Sequence, residues 1–423
     1  MKKFILFTFT ALLSLSLTAQ KFNTVARTPP MGWNSWNKFA CNVSETLITG
    51  MADAMASSGM KDAGYEYIVI DDCWQVSRDE NGEIVCDKER FPHGMKYVAD
   101  YVHSKGLKFG IYSCAGSKTC AGRPGGLGHE YQDARTYAAY GVDYLKYDWC
   151  NTSSQDAKSS YANMRDALYN AGRPIVFSIC EWGAYKPWEW AGDVGHLWRT
   201  TGDINDSWNS MIGIFNSQKD LARYAAPGRW NDPDMLEVGN GKMTFEEYKI
   251  HFSLWCMLSA PLLAGNDLQN MSAETKEILT NKEIIALDQD SLGRQATCYR
   301  DNGNYQIWVK TLTNNEKAIC LLNQSDEKKT VLVDFSLLAT VRSAFRPYIP
   351  PAAPARPAGG PGAAAAPAAQ AAPPMMQRPM NLTLENYKVR DLWEHKDLTL
   401  KEASVYIDLP PHSVKVYRFI RKS

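Results

Sequence analysis

The sequence lacks an excess of either charge. Its 423 residues include 46 lysines and arginines and 46 aspartates and glutamates, so the formal net charge is zero at neutral pH. Proteins that bind nucleic acids or acidic membrane surfaces through electrostatics carry a basic excess, because they must neutralise phosphates. The composition therefore argues against a nucleic-acid partner and against attachment to an acidic membrane surface.

Long apolar runs are missing beyond the first twenty residues. The chain starts MKKFILFTFTALLSLSLTAQ, in which two lysines precede an apolar run and a small residue, Ala19. This pattern is typical of a secretory signal peptide. No cysteine follows to carry a lipid, and no later run approaches the ~18 apolar residues of a membrane helix. We expect a signal peptide over residues 1–19, no membrane anchor, and a periplasmic or secreted protein.

Two cofactor signatures are absent. No glycine-rich dinucleotide fingerprint follows the first strand-like run. Histidines that could support a metal centre beside the carboxylates are missing, since His93, His103 and His129 fall on helix-like stretches. Metal centres in enzymes generally combine carboxylates with such ligands. We therefore predict no metal and no organic cofactor.

The ten cysteines of an exported chain raise the question of disulfides. Their spacing leaves the pairing open. Cys256 lies in the apolar run HFSLWCMLSA, which predicts a buried free thiol. Four cysteines lie beside suspected strand ends: Cys41, Cys73, Cys120 and Cys150. The states of the others stay open: Cys86, Cys114, Cys180, Cys298 and Cys320.

Short apolar runs alternate with longer, helix-like segments between about residues 27 and 290. The strand-like runs are MGWNSW (31–36), YIVIDD (67–72), KFGIYS (108–113), YLKYD (144–148), IVFSIC (175–180), LWRTTGD (197–203), RWNDPD (229–234) and APLLAG (260–265). The first helix-like segment starts near Ser44, a candidate N-cap. This alternation predicts an α/β fold, a (β/α)8 TIM barrel over residues 20–290. An open doubly wound sheet is the alternative.

The pattern changes after residue 290. Runs such as YQIWVKTL, KAICLLNQ and SVKVYRFI alternate between apolar and polar residues, with no helical period between them. They predict an antiparallel β-sandwich over residues 291–423. A stretch rich in proline and alanine interrupts it at 347–379 and predicts a disordered insertion. A tether for a partner is the alternative for this stretch.

Polar side chains collect at the C-terminal ends of the predicted barrel strands. They are Asp71 and Asp72, Tyr112, Asp148, Glu181 and Trp182, Asp203, and Asp232 with Asp234. In a TIM barrel these ends form the active-site face. Ordinary surface carboxylates would be spread over both ends, so the clustering predicts an active site.

Two of these carboxylates could cleave a glycosidic bond. Asp148 ends the fourth strand and Asp203 the sixth, so their backbones would lie ~10 Å apart and their side chains could converge to the ~5–5.5 Å of a retaining enzyme. Lys146 points to the same side of its strand as Asp148 and would keep that nucleophile ionised. A proton donor must start protonated, so we expect a neighbouring anion to raise the pKa of Asp203.

Many motifs resemble one family. TPPMGWNSWNKF, YIVIDDCWQ, RFPHGMKYVADYVHSKGLKFGIYS, GSKTC, GVDYLKYDWCN, SICEWG, WRTTGDINDSW, GRWNDPDMLEVGNG and APLLAGNDL occur in order. They resemble the melibiase-like α-galactosidases of glycoside hydrolase family 27, in clan D. VRDLWEHK and the last strands resemble the C-terminal β-sandwich of the same family, so the resemblance covers nearly the whole mature chain.

The resemblance implies a retaining, exo-acting α-galactosidase. Such an enzyme removes terminal α-linked D-galactose from oligosaccharides or polysaccharides through a covalent galactosyl-aspartate intermediate. It implies that Asp148 is the nucleophile and Asp203 the acid/base. It further implies that Asp71 and Asp72 accept hydrogen bonds from the axial 4-hydroxyl and the 6-hydroxyl of galactose.

Other implied contacts surround these carboxylates. Lys146 would bind ring hydroxyls, and Arg199 with Asp234 would contact the 2-hydroxyl side. The remaining substrate-binding residues are Trp33, Tyr112, Cys180 and Trp182. The implied disulfides are Cys41 with Cys73 and Cys120 with Cys150. Core positions for Trp33 and Tyr112, a plain ion pair for Arg199 and a turn position for Asp232 are the structural alternatives.

Two residues depart from the family pattern, and the substrate has alternatives. Trp149 would narrow the rim of the pocket, and Cys114 would alter its floor or be a free thiol.

A β-L-arabinopyranosidase or an α-N-acetylgalactosaminidase of the same family is the alternative enzyme, and a non-catalytic sugar-binding protein is a remote alternative. The CEWG segment with Trp182, and an aspartate at Asp72, resemble the galactose-selective members.

Overall fold

A computed structural model describes residues 21–335, 386–400 and 402–422. The predicted signal peptide (1–19) and the predicted insertion (347–379) lie outside the described residues. Within the described part of the chain, no helix is both long and apolar enough to cross a membrane.

Strands and helices alternate in the N-terminal part of the chain. Its strands are β1 (Met31–Asn34), β2 (Tyr67–Val69), β3 (Gln75–Arg78), β4 (Ile84–Cys86), β5 (Lys108–Cys114), β6 (Tyr144–Asp148), β7 (Val176–Cys180), β8 (Leu197–Arg199), β9 (Trp230–Asp232) and β10 (Leu262–Ala264). Each of the eight predicted runs overlaps one of these strands. The antiparallel pair β3 and β4 was not predicted, because its strands are only four and three residues long.

Eight of these strands form one parallel sheet in the order β10-β1-β2-β5-β6-β7-β8-β9. A parallel bridge between Leu236, just after β9, and Ala264 of β10 joins the two ends of this order. The sheet therefore curls into a barrel, which confirms the predicted TIM-barrel class and excludes an open sheet.

The helices connect these strands, and several of them begin at a residue whose side chain caps the helix. They are α1 (Trp36–Phe39), α2 (Glu45–Ser57), α3 (Met60–Ala63), α4 (Met95–Ser104), α5 (Glu130–Tyr140), α6 (Ala157–Asn170), α7 (Trp208–Asn216), α8 (Phe245–Leu258), α9 (Ala273–Leu279) and α10 (Lys282–Asp288). Ser44 caps α2 by accepting from the Leu47 amide at 3.2 Å, as predicted. Asp156 caps α6 in the same way.

The period of two residues along each strand separates the inside of the barrel from the outside. In β6, Leu145 and Tyr147 belong to the large core between the strands and the helices. Tyr144 belongs instead to a smaller apolar cluster shared by alternate residues of several barrel strands. Lys146 and Asp148 are on the same side as Tyr144, so both side chains follow the barrel interior toward its C-terminal end.

The C-terminal part is antiparallel. Its strands are β11 (Thr297–Asp301), β12 (Tyr305–Thr311), β13 (Lys317–Asn323), β14 (Lys329–Asp334), β15 (Tyr387–Asp391), β16 (Lys396–Leu398), β17 (Ser404–Leu409) and β18 (Ser413–Arg421). Six of them pair in the order β11-β12-β13-β18-β15-β16, and β14 pairs with β17. Apolar side chains of both sheets form one buried cluster. This arrangement confirms the predicted sandwich.

Candidate active site

The C-terminal ends of the barrel strands surround a cavity with a volume of about 690 Å³. This volume is within the range of roughly 300–1,000 Å³ that sites for small molecules occupy. Nine sequence-predicted residues line it: Asp71, Asp72, Tyr112, Lys146, Asp148, Trp182, Arg199, Asp203 and Asp234. Because the sheet order is β6-β7-β8, the ends that carry Asp148 and Asp203 flank a single intervening strand.

Asp148 lies at the end of β6 with only 6% of its surface exposed. Its Oδ2 accepts a hydrogen bond from the Tyr112 hydroxyl at 3.0 Å, and its Oδ1 accepts one from the Trp149 amide at 2.8 Å. Burial raises the pKa of Asp148 to about 6, although the charge of Lys146 and these hydrogen bonds act in the opposite direction. The carboxylate is therefore fixed in orientation and ionised at neutral pH.

Lys146 makes its direct ion pair with a different carboxylate from the one expected. Its ammonium donates to Asp71 Oδ2 at 2.8 Å. Burial lowers the pKa of Lys146, but the charge of Asp71 and other nearby anions raises it well above its usual value. Asn34 donates to the same Asp71 oxygen at 2.7 Å. Lys146 thus orients Asp71 through a hydrogen bond, and it affects the pKa of Asp148 only through its charge.

Arg199, at the end of β8, holds two carboxylates on opposite sides of its guanidinium. Its Nη1 lies 3.0 Å from Asp234 Oδ1, and its Nη2 lies 3.0 Å from Asp203 Oδ1. Asp234 and Arg199 are buried, whereas the side chain of Asp203 is 69% exposed. Asp234 has a positive φ of 84°, and its Oδ2 accepts from the Ile204 amide at 2.8 Å. Arg199 therefore connects the buried floor of the cavity to its exposed rim.

The pKa of Asp203 is shifted opposite to the direction expected for a proton donor. Partial desolvation by the surrounding protein raises it, but the charges of Arg199 and Lys146 and the hydrogen bond from Arg199 lower it below its usual value overall. The expectation that a neighbouring anion dominates the pKa of Asp203 was wrong, because the nearest charge is the Arg199 guanidinium. In this state Asp148 binds a proton more tightly than Asp203 does.

Both implied disulfides are present. Cys41 is bonded to Cys73, and Cys120 is bonded to Cys150. Cys120 and Cys150 also line the cavity. The six other cysteines are free, and five of them, including Cys256, are buried.

The Cys120–Cys150 disulfide also bears on metal binding. Among the described residues, one group has the ligand spacing of a metal site: Cys120, Cys150 and Asp148, whose ligand atoms lie within 4.8 Å of one another. Both sulfurs are oxidised to the disulfide, so neither can act as a thiolate ligand.

Two of the predicted contacts do not line the cavity. Trp33 is fully buried, donates from Nε1 to the Asn266 carbonyl at 2.7 Å and packs in the core, as its structural alternative proposed. Cys180 is buried behind Arg199, whose Nη1 lies 3.7 Å from its sulfur.

The two departures from the family pattern do not reach the cavity either. Trp149 is only 5% exposed and stacks on Tyr161 at 5.4 Å, so it does not narrow the rim. Cys114 is a buried free thiol that donates to the Cys150 carbonyl at 3.0 Å.

Sequence reasoning missed the part of the cavity that loops provide. Lining residues outside the predicted set include Trp36, Asn37, Lys38, Asp206, Glu237, Asn240 and Lys242. Glu237 is 3% exposed, accepts from Asn240 at 2.6 Å and also accepts from Asn37, which belongs to α1. Burial raises the pKa of Glu237 to about 7. These positions follow strand ends by several residues, where a period of two gives no signal.

Family models match both parts of the chain. The model described as alpha galactosidase A matches residues 28–290. The model described as the alpha galactosidase C-terminal beta sandwich domain matches residues 370–419.

Similar proteins extend over most of the chain. An alpha-galactosidase A of Cellvibrio japonicus is 57% identical over 336 residues, which are 77% of this chain and 83% of the relative. The crystal structure of alpha-galactosidase I from Mortierella vinacea has a TM-score of 0.82 at 36% identity and covers 95% of this chain and 98% of its own. An alpha-galactosidase from Saccharomyces cerevisiae, solved with raffinose, has a TM-score of 0.79 at 28% identity, with 95% and 99% coverage.

Proposed function

The chain belongs to the α-galactosidase family, glycoside hydrolase family 27, and from this premise we propose that it is a retaining, exo-acting α-galactosidase. Its substrates are oligosaccharides or polysaccharides that end in α-linked D-galactose, and raffinose, bound by the yeast relative, is one candidate. The predicted signal peptide supports a periplasmic or secreted enzyme.

One observation carries the proposal. A fixed, buried carboxylate, Asp148, lies at the floor of a cavity whose rim carries a second, exposed carboxylate, Asp203. Glycoside cleavage needs one group that attacks the anomeric carbon and another that can exchange a proton with the leaving group and then with water. A buried nucleophile and a solvent-exposed proton carrier suit these two tasks.

The reaction proceeds in two displacements. In the first, an Asp148 oxygen forms a bond to the anomeric carbon while the glycosidic C–O bond breaks, and Asp203 gives its proton to the departing oxygen. In the second, Asp203 takes a proton from water, the water oxygen attacks the same carbon, and Asp148 leaves as a carboxylate. Two inversions give net retention.

When Asp148 and Asp203 of the free enzyme share one proton, that proton lies mainly in the less productive position. Burial favours the proton on Asp148, and Arg199 disfavours it on Asp203. Only the minor form, with Asp148 ionised and Asp203 protonated, can react. A bound sugar shifts the balance if its 2-hydroxyl shares the donors of Arg199, because Asp203 then loses part of its stabilisation as an anion.

Recognition of galactose rests on the buried carboxylates Asp71 and Asp72. Both line the cavity and are at most 2% exposed. A sugar that lacks the hydroxyl expected by a buried carboxylate leaves one of its acceptor positions unfilled and away from water, which costs more than the loss of an exposed contact. This cost supports selection of a sugar with an axial 4-hydroxyl and a free 6-hydroxyl.

Hydrolysis of three chromogenic glycosides tests the proposal: an α-D-galactopyranoside, a β-L-arabinopyranoside and an α-N-acetylgalactosaminide. We expect the galactoside to be cleaved fastest, with the α-anomer of galactose appearing first by NMR. In Asp148→Asn, kcat/KM should fall by about 10⁴-fold or more, since the attacking charge is lost. Faster cleavage of another sugar would change the assigned substrate, and full activity in Asp148→Asn would overturn the mechanism.

A further inference from the structure

Asp72 is held in a different way from its neighbour Asp71. Two side chains and one backbone amide donate to Asp71, whereas two backbone amides and the Thr119 hydroxyl donate to Asp72. The Cys73 amide reaches Asp72 Oδ1 at 2.7 Å, and the Ala121 amide reaches Oδ2 at 2.9 Å. Backbone donors have no rotamers, so they fix both oxygens of the carboxylate, provided that the backbone itself is fixed.

Both donors belong to disulfide-bonded segments. Cys73 is itself bonded to Cys41. It has a φ of 78°, which residues other than glycine rarely adopt and which the surrounding structure must maintain. Ala121 directly follows Cys120, which is bonded to Cys150 at the end of β6. The two disulfides therefore lie on either side of Asp72.

The Ala121 donor is the more exposed of the two. It lies in the loop that follows β5, where Cys120 is exposed, whereas Cys73 is fully buried. The Asn151 side chain also ties this loop, through the carbonyls of Lys118 at 3.1 Å and Thr119 at 3.0 Å. A turn closed by the Gly122 amide on the Thr119 carbonyl at 3.0 Å encloses the donor, so Ala121 moves with this turn. The Cys120–Cys150 link is the covalent tie between the turn and the segment that follows β6.

We propose that the Cys120–Cys150 disulfide is a specificity-determining element, which holds the Ala121 amide on Asp72 and so keeps that carboxylate aimed at the sugar's 6-hydroxyl. The inference rests on the proposed function, in which Asp72 binds this hydroxyl. Without the disulfide, the carboxylate can turn about its Cβ–Cγ bond and must be ordered again at each binding event. A pentopyranoside has no hydroxymethyl group and makes no hydrogen bond to Asp72, so loss of the disulfide should leave its kcat/KM unchanged.

The test compares two substrates that differ in that group. The ratio of kcat/KM for the α-D-galactopyranoside to kcat/KM for the β-L-arabinopyranoside is measured in the wild type and in the double variant Cys120→Ser/Cys150→Ser. We expect the ratio to fall about tenfold, the effect of one hydrogen bond to a charged group. Cys298→Ser, the same chemical change in the distant strand β11, is the matched control and should leave the ratio unchanged.

A second measurement avoids any folding defect of the variant. The folded wild type is treated with a dithiol reductant, which should reach the exposed Cys120 before the buried Cys73. We expect the ratio to fall as Cys120 and Cys150 are reduced, as counted by thiol labelling, and to return on reoxidation.

The two proposals fail in different ways. An equal loss of both activities, or an unchanged ratio after complete reduction of this disulfide, would overturn the specificity role. Absence of galactoside cleavage in the wild type would instead overturn the proposed function.

Discussion

At the scale of single residues, Asp148 combines burial with a charge that the reaction needs. Burial raises its folded-state pKa from 3.8 to about 6. The folded protein therefore binds this proton more tightly than the unfolded chain, and keeping Asp148 ionised costs stability that is fully felt above about pH 6.

Asp148→Asn should therefore stabilise the protein near neutral pH. A shift of about two pKa units corresponds to roughly 1–3 kcal/mol, because each unit is worth about 1.4 kcal/mol. Thermal unfolding of the wild type and Asp148→Asn should show a higher Tm for the variant near pH 7, and the difference should shrink toward pH 4. A lower Tm for the variant at both pH values would contradict a buried charge at this position.

The pH dependence of kcat/KM should depend on the leaving group. With a sugar leaving group, the pair Asp148 and Asp203 must hold one proton, so activity should fall about tenfold per pH unit above about pH 6. With a 2,4-dinitrophenyl leaving group no proton is needed, and activity should rise through the same pH as Asp148 ionises. Buried Asp232, whose pKa is also raised to about 6 by burial, makes the observed value a property of the cluster.

Parallel profiles for the two substrates would contradict this protonation order. If both activities rose through about pH 6 and stayed high, Asp203 would hold its proton to neutral pH in the working enzyme. Arg199 would then have ceased to lower its pKa.

At the scale of elements, helix α8 connects the barrel to the sandwich. It starts with a capping box in which Thr244 Oγ1 accepts from the Glu247 amide at 3.3 Å and Glu247 Oε2 accepts from the Thr244 amide at 2.8 Å. The other oxygen of Glu247 lies 2.8 Å from His412 Nδ1, next to β18. The cap therefore positions a side chain that also contacts the sandwich.

Thr244→Ala should lower the free energy of unfolding by about 1 kcal/mol, the usual cost of losing an N-cap hydroxyl. Thr244→Ser keeps the hydroxyl and should therefore retain at least half of the unfolding free energy that Thr244→Ala loses. Urea unfolding measures both, and kcat/KM should stay within twofold because the cap does not line the cavity. Equal stability of the alanine and serine variants would mean that the hydroxyl contributes nothing.

At the scale of the whole molecule, a buried lysine joins the two parts of the chain. Lys310, in β12, is fully buried and donates to the Cys256 carbonyl and to Ser259 Oγ, both at 2.7 Å, at the end of α8. Burial lowers the pKa of Lys310 to about 8, so it remains largely charged at neutral pH. The sandwich is thereby docked on the barrel through a charged donor.

Lys310→Met should lower the free energy of unfolding by about 2 kcal/mol, because two buried acceptors lose a charged donor. Lys388→Met is the matched control: Lys388 is half exposed, pairs with Asp397 at 2.8 Å, and its loss should change stability by less than about 0.5 kcal/mol. Chemical denaturation followed by tryptophan fluorescence compares the two. Equal effects would show that the interface does not depend on the buried ammonium.

The sequence by itself determined the barrel, the sandwich and the side of β6 that faces the barrel interior. These follow from local periods: alternation of residue types defines strands, and a period of two puts Tyr144, Lys146 and Asp148 on one side of β6. The sequence motifs then showed the family resemblance, which implies a role for each of the site residues.

Tertiary structure alone decided which groups meet. Lys146 binds Asp71, at the end of another strand, rather than Asp148 of its own strand. The turn after β8 folds Asp203 back onto Arg199, whose charge lowers the pKa of Asp203. Loops following the strands added Glu237 and its neighbours to the cavity, and packing removed Trp33 from it. A linear pattern specifies which side of a strand a residue takes, but partners from other strands and loops fix its charge state.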